Sequence, residues 1–451
     1  MEQQQNQKPQ RSWAKNTVMV KVGIITILML LLLIPLSMIE SIIYERENMN
    51  RKAIKEVSSK WSNEQVVKGP ILTVPMLMER ENQEGEVIEY TKYWYLLPKE
   101  LKIDGDVDPR SLNRGIYDII VYSSNLDVKG QFDLKSIPKP SDLKEIQLDK
   151  AFLTVGINDL RGIKNQIKVK WNDTTLDIEP GSRIPKLVES GVTIPVTLSE
   201  EGQSKYDFSF NLVLQGSQNL SFIPLGATTQ VSMHSKWDSP SFVGNFLPDT
   251  REVTEEGFTA KWTVLQLNRN FPLQWISGEF KQYSNFDQSA FGVDLLIPVN
   301  DYQTSMRSAK YGAMTIALTF LIFFLVEVIN KTRIHPLQYA MVGIALCLFY
   351  TLLVSISEHS SFNLAFGIAS VAIVSMISLY SLSLFKNKKL SLMLMLILFG
   401  IYTFLFITLQ MVDYALLMGS IGLTMILGAT MFYTRKINWY QLNLSTAGSV
   451  S

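Results

Sequence analysis

Side chains able to carry acid–base or metal chemistry are scarce. The chain has three histidines, His234, His335 and His359, and a single cysteine, Cys347. No H-E-x-x-H, C-x-x-C, G-x-x-x-x-G-K or G-x-S-x-G occurs. Zinc hydrolysis, thiol redox chemistry and nucleotide hydrolysis therefore lack their usual ligands. Carboxylates scattered through the strand-rich region single out no acid–base pair, and solvated strand faces explain them more simply. No catalytic, cofactor-binding or metal-ligating residue is assigned, no cofactor is expected, and the chain is not expected to be an enzyme.

Two constellations remain. Glu358 and His359 fall where an apolar run ends, and Asp413 falls at another run end on the same side. A histidine and carboxylates at a membrane boundary could titrate together or hold a metal, whereas a solvated helix end is the simpler explanation. Convergence requires the helix ending at Glu358 to pack beside the turn at Asp413. The second is Trp237-Asp238-Ser239-Pro240-Ser241-Phe242, running into Gly244, Phe246-Leu247-Pro248 and Arg251. Dense aromatic, proline and glycine residues predict an irregular packed loop, with Trp237, Pro240, Phe242 and Arg251 as a candidate binding surface.

Lesser features have plainer explanations. Glu327 ends an apolar run and is expected to snorkel or to pair with Lys331 four residues on. His335-Pro336 reads as an ordinary helix start. Ser420, Thr424 and Gly428 form a small-residue stripe, expected to pack inside the helix bundle.

The elements that would position these groups are legible in the charge pattern. Net charge is +1, with 42 Lys and Arg against 41 Asp and Glu, which disfavours a nucleic-acid partner. The charges crowd into the first two thirds. Val22–Ile39 carries none, and at about 1.5 Å per residue it spans about 27 Å, enough for a hydrocarbon core. It is too long for a signal peptide and no A-x-A site follows, so an uncleaved anchor is expected. Five further runs follow: Tyr311–Val326, Leu337–Ser357, Phe362–Phe385, Leu390–Val412 and Tyr414–Thr434. Cys347 lies in one of them, so no intrachain disulfide can form. Lys386, Lys388 and Lys389 mark one cytoplasmic loop, and Arg435 with Lys436 another; the loops at Glu358 and Asp413 lack Lys and Arg. Both termini are then cytoplasmic.

The segment between the first two spans reads as a helical lead-in to β-structure. Glu47 with Arg51 and Glu56 with Lys60 predict a charged helix over Ile42–Trp61, ended by Gly69-Pro70. Period-2 alternation follows at Leu126/Val128/Phe132/Leu134 and at Phe258/Ala260/Trp262/Val264. It recurs at Phe208/Phe210/Leu212/Leu214, which lead through a turn at Gly216-Ser217-Gln218 to Leu220 and Phe222. Ile167/Val169/Trp171 lead through Asn172-Asp173 to Leu176 and Ile178.

Several stretches resemble the CreD family of bacterial inner-membrane proteins. They are the Trp237–Arg251 stretch continued by Gly257-Phe258, Ala260 and Trp262; Arg114-Gly115-Ile116-Tyr117; and His335-Pro336-Leu337-Gln338-Tyr339. Ser357-Glu358-His359, Tyr414–Ser420 and Thr434–Tyr440 add to them. The resemblance runs from the first anchor to about Tyr440, and Asn438 stands where relatives carry an acidic residue. It implies a part in cell-envelope integrity, in tolerance to some colicins, and control by a two-component system sensing carbon source or envelope stress. It implies no catalytic residues.

The fold class expected is a membrane α-helical bundle of six transmembrane helices plus a large, mainly β extracytoplasmic domain of sandwich-like type, as one domain or two. Residues 1–21 form a polar cytoplasmic start, 22–39 the anchor, and 40–306 the periplasmic domain. Residues 307–434 form a five-helix membrane domain and 435–451 a cytoplasmic tail. The expected function is maintenance of the cell envelope or response to envelope stress, with the lipid bilayer and an envelope protein or periplasmic ligand as partners. A small transporter or ligand-responsive sensor is the alternative, and a membrane-bound enzyme at the outer leaflet a second.

Overall fold

The computed structural model of the protein describes residues 17–81, 84, 86–134, 137–199, 204–295, 301–330, 332–411 and 414–435. The chain divides into two compact units. One is Asn50–Pro298; the other joins Met1–Met49 to Val299–Ser451.

Two sheets build the first unit. The ten-stranded sheet runs Pro240–Gly244, Phe291–Leu295, Asn219–Ile223, Gln65–Glu81, Phe152–Ile157, Gly191–Pro195, Glu179–Pro180, and Val87–Leu96 pairs with the distal part of Gln65–Glu81. The eight-stranded sheet runs Thr250–Thr254, Gly257–Leu265, Thr228–Ser235, Glu100–Arg114, Tyr117–Asp133, Lys205–Ser217, Val169–Trp171, Thr174–Leu176. Most pairs are antiparallel, but Gln65–Lys68 runs parallel to Leu220–Ile223, and Thr228–Ser235 parallel to Glu100–Val107. One cluster of buried side chains draws on both sheets, including Leu72, Val74 and Met76 from one and Val128, Phe208 and Trp262 from the other.

The alternating residues behave as their period demands. Phe258, Ala260, Trp262 and Val264 are all buried, each large one contributing about 1.5–3 kcal/mol of transfer free energy. Leu126, Val128 and Phe132 are buried too, and Gly130 interrupts them for a packing reason. A Cβ there would lie 2.5 Å from the Phe208 ring and 2.3 Å from the Glu100 carbonyl. Phe208 occupies the space that a side chain would need.

Two local expectations need correction, and one expected turn does more than its residues show. The first helix ends at Trp61, and Gly69-Pro70 lies inside the Gln65–Glu81 strand, where pairing to Phe152–Ile157 shifts register between Lys68 and Ile71. Proline, which has no N–H to give the ladder, sits at that irregularity. The expected turn falls at Gln218, whose φ is 61°, and it carries the chain from one sheet to the other. The strand Lys205–Ser217 belongs to the eight-stranded sheet, and Leu220 and Phe222 belong to the other. Pro240–Gly244 forms a strand paired with Phe291–Leu295 rather than an irregular loop.

In the second unit the apolar runs are helices. Among the described residues the helices are α1 (Thr17–Trp61), α2 (Ser284–Gln288, in the β unit), α3 (Asp301–Lys310), α4 (Gly312–Asn330), α5 (Pro336–Ser357), α6 (Phe362–Phe385), α7 (Lys388–Gln410) and α8 (Ala415–Thr434). Five of these, α1, α4, α5, α6 and α7, are long and apolar enough to cross a membrane; the apolar stretch of α8, Leu417–Phe432, is shorter. Six spans were expected; among the described residues five helices reach that length and α8, with its shorter apolar stretch, does not. Glu56 and Lys60 on α1 form the anticipated pair at 2.8 Å. Glycines bring α1 close to its neighbours: a Cβ on Gly343 would lie 2.2 Å from Leu32, and one on Gly312 2.7 Å from Leu36.

Candidate functional site

A buried polar site in the membrane unit centres on Glu327, on the last turn of α4. It is fully buried. Its carboxylate forms an ion pair with Lys21 of α1 and accepts hydrogen bonds from the Tyr339 hydroxyl (2.9 Å) and the Ile334 backbone N–H (2.9 Å). Lys21 Nζ also donates to the Ile334 carbonyl at 2.8 Å. The expected snorkelling of Glu327 therefore does not occur, and Lys331 lies outside the described residues. A buried carboxylate requires partners that match its charge and lone pairs, and three elements supply them.

The His335–Tyr339 motif builds half of this site. His335 caps α5, its Nδ1 accepting from Leu337 N–H at 3.2 Å, and Gln338 accepts the His335 N–H at 2.8 Å. Pro336 takes the first helical position. The cap fixes where α5 begins, which places Tyr339 one turn in, facing Glu327. Sequence reasoning missed the pairing because Lys21 and Glu327 stand 306 residues apart. The available signal was two opposite charges, each at the cytoplasmic end expected for its span.

At the other end of α5, Glu358 and His359 part company. The Glu358 side chain, 10% exposed, turns to Arg46 of α1, with Oε1 3.4 Å from Nε. His359 is exposed, its Nδ1 3.2 Å from the Ser355 carbonyl. Asp413 lies outside the described residues. Among those described, no group of three or more His, Cys, Asp or Glu is placed to hold a metal.

The stripe on α8 also faces away from its expected partners. Ser420, Thr424 and Gly428 are exposed, and nothing lies within 4 Å of a Cβ on Gly428. Gly422, against the Phe404 ring, makes the inward contact.

In the β unit the predicted binding residues are largely engaged in packing. Phe242 meets Phe258 and Trp262 edge-on, with centroids at 5.7 and 5.8 Å. Arg251 lies over the Phe242 ring, and the Trp237 indole N–H donates to the Ser239 carbonyl at 3.1 Å. Pro240 is half-buried at the edge of the sheet.

Two further polar arrangements were not anticipated. Asp159 accepts from the backbone and side chain of Asn63 (3.0 and 3.2 Å) and from Arg161 N–H, Nε and Nη2 (3.2, 2.8 and 2.5 Å). Arg161 also donates to the Ser59 carbonyl on the last turn of α1. The guanidinium beside it holds the Asp159 carboxyl well below the usual carboxylate range. Next to it, the buried Gln65 amide donates to Ser62, Asp159 and Gln215. On the outer face of the eight-stranded sheet, strand register lines up Asn125, Asp106, His234, Thr259 and Glu252. They lie in an open groove of 930 Å³, with His234 Nδ1 3.1 Å from Thr259 Oγ1. Asn125, Asp106, His234 and Glu252 are exposed and Thr259 is half-buried.

Comparison with known proteins points one way. A family model described as inner membrane protein CreD matches residues 17–440. The inner membrane protein CreD of Escherichia coli (strain K12) is 34% identical over 425 residues, a match covering 92% of each chain.

Proposed function

We infer what this chain does from one premise: it belongs to the CreD family of inner membrane proteins. It is a multi-pass inner-membrane protein. Its role, we propose, is to maintain the cell envelope or to respond to envelope stress through the β unit, held outside the cytoplasm. The observation that carries this proposal is the large two-sheet unit, Asn50–Pro298, set between the first apolar helix and the rest. A membrane protein that only crossed the bilayer would have no use for it. The basic loop Lys386–Lys389 and Arg435 support cytoplasmic termini. On that reading α8 is a sixth span, and the two sheets around one core form a sandwich-like domain.

The transporter alternative would need a charge in the membrane free to receive an ion. Glu327 is the buried carboxylate among the described membrane helices, and Lys21, Tyr339 and Ile334 already satisfy it. We therefore read the chain as non-transporting and, with Glu358 engaged by Arg46, as non-enzymatic. The partner of the β unit would be an envelope protein or a periplasmic ligand.

Cells lacking the protein should admit more of a large dye under detergent stress. The full chain should restore the barrier, and a chain with Asn50–Pro298 replaced by a flexible linker should not. Equal dye entry with and without the protein would sink the envelope role. Orientation is read separately. Cys347 is buried, so an impermeant maleimide applied to intact cells with a permeabilised outer membrane should label Ser361→Cys and spare Asn387→Cys.

A further inference from the structure

α1 is the least enclosed of the five long membrane helices. Of its most apolar window 17% is buried, against 56% for α4 and for α5. Its buried contacts in the membrane unit run along one stripe, Leu32, Leu36, Ile39 and Ile43. Lipid tails solvate leucine and isoleucine as well as another helix does, so association in a membrane rests on close packing and polar contacts. No chain connection keeps α1 beside α4 and α5 either, because the β unit intervenes.

The end of α4 and the start of α5 together present a receptor for one ammonium group. Tyr339 and the Ile334 N–H fix the Glu327 carboxylate, and the Ile334 carbonyl supplies a second acceptor. Both acceptors point to Lys21, which is 15% exposed. Without that ammonium, the partners shown for the buried carboxylate among the described residues are two neutral donors, a costly state in a low dielectric.

We propose that the Lys21–Glu327 pair is the latch that docks α1 into the membrane bundle, making it a fixed member of the bundle and not a loose tether for the β unit. Lys21 acts as a positioning residue. Its effect is exerted through the seating of the whole helix.

The native cysteine permits a direct test, since Cys347 Sγ lies 4.0 Å from the Leu32 carbonyl. In the full chain carrying Leu32→Cys, a short thiol–thiol cross-linker should bridge positions 32 and 347 readily. Adding Lys21→Met should slow the bridging at least about tenfold, and Lys21→Arg, which keeps the charge, should restore it. The rates are read in native membrane vesicles, so that instability of the Met variant in detergent does not obscure them. Unchanged bridging with Lys21→Met would overturn the latch. So would a loss that Lys21→Arg leaves uncorrected, which would assign the effect to the lysine's stem or to insertion.

Discussion

Replacing Asp159 by Asn keeps the shape of the side chain and removes its charge. In the native unit that carboxylate accepts two hydrogen bonds from Asn63 and three from Arg161. Hydrogen bonds to a charged group contribute about 1.5–3 kcal/mol. Water can replace part of this, because the Arg161 side chain is 57% exposed. The lower end, about 1.5–2 kcal/mol, is then the expected loss near neutral pH. For a unit of this size that is about 3–8 °C in Tm. The Asp159 pKa is lower in the folded protein than its ordinary value of 3.8, so its contribution is complete above that value and is lost as pH falls through the folded pKa. The gap between wild type and Asp159→Asn should be flat from neutral pH to about pH 5 and close below about pH 4. The assay is urea unfolding followed by tryptophan fluorescence at a series of pH values. It uses residues 50–298 expressed alone, a unit that retains Ser59 and Asn63 and is expected to fold without oxidation. A gap that persists unchanged to pH 2, or none at pH 7, would refute the reasoning.

Gly162→Ala should destabilise the same unit by about 2 kcal/mol or more, because overpacking forces backbone to shift. The new Cβ would lie 2.3 Å from the Gln215 carbonyl and 2.5 Å from the Gln65 amide; a melting temperature equal to wild type would contradict this. Phe242→Ala should cost about 2–3 kcal/mol by leaving Phe258 and Trp262 without an edge partner. Since Phe242 then acts through packing, any loss of function in cells should follow the fall in folded protein measured by blot, and full abundance with lost function would return it to a binding role.

Much of the architecture could be read from local periodicity. The helix boundaries of α5 and α6 fall at the ends of their apolar runs, since a spanning segment must satisfy its backbone internally and be apolar on every face. The strands at Leu126–Phe132 and Phe258–Val264 follow from period-2 alternation, because one face of each strand meets the core. Where both faces are covered the signal vanishes. Ile71 packs into one cluster and Leu72, Val74 and Met76 into another, so that strand reads as a continuous apolar run. The sheet exchange at Gln218 left no local mark either, because a turn residue specifies a bend and not the partner that follows. Charge sets an expectation for which side each loop faces, yet it could not pair Lys21 with Glu327 or turn Glu358 toward Arg46. Sequence determined that these groups stand at the ends of spans. Only the packing of α1 against α4 and α5 decided which of them lose water, and a carboxylate that has lost water takes the nearest cation that the fold brings to it.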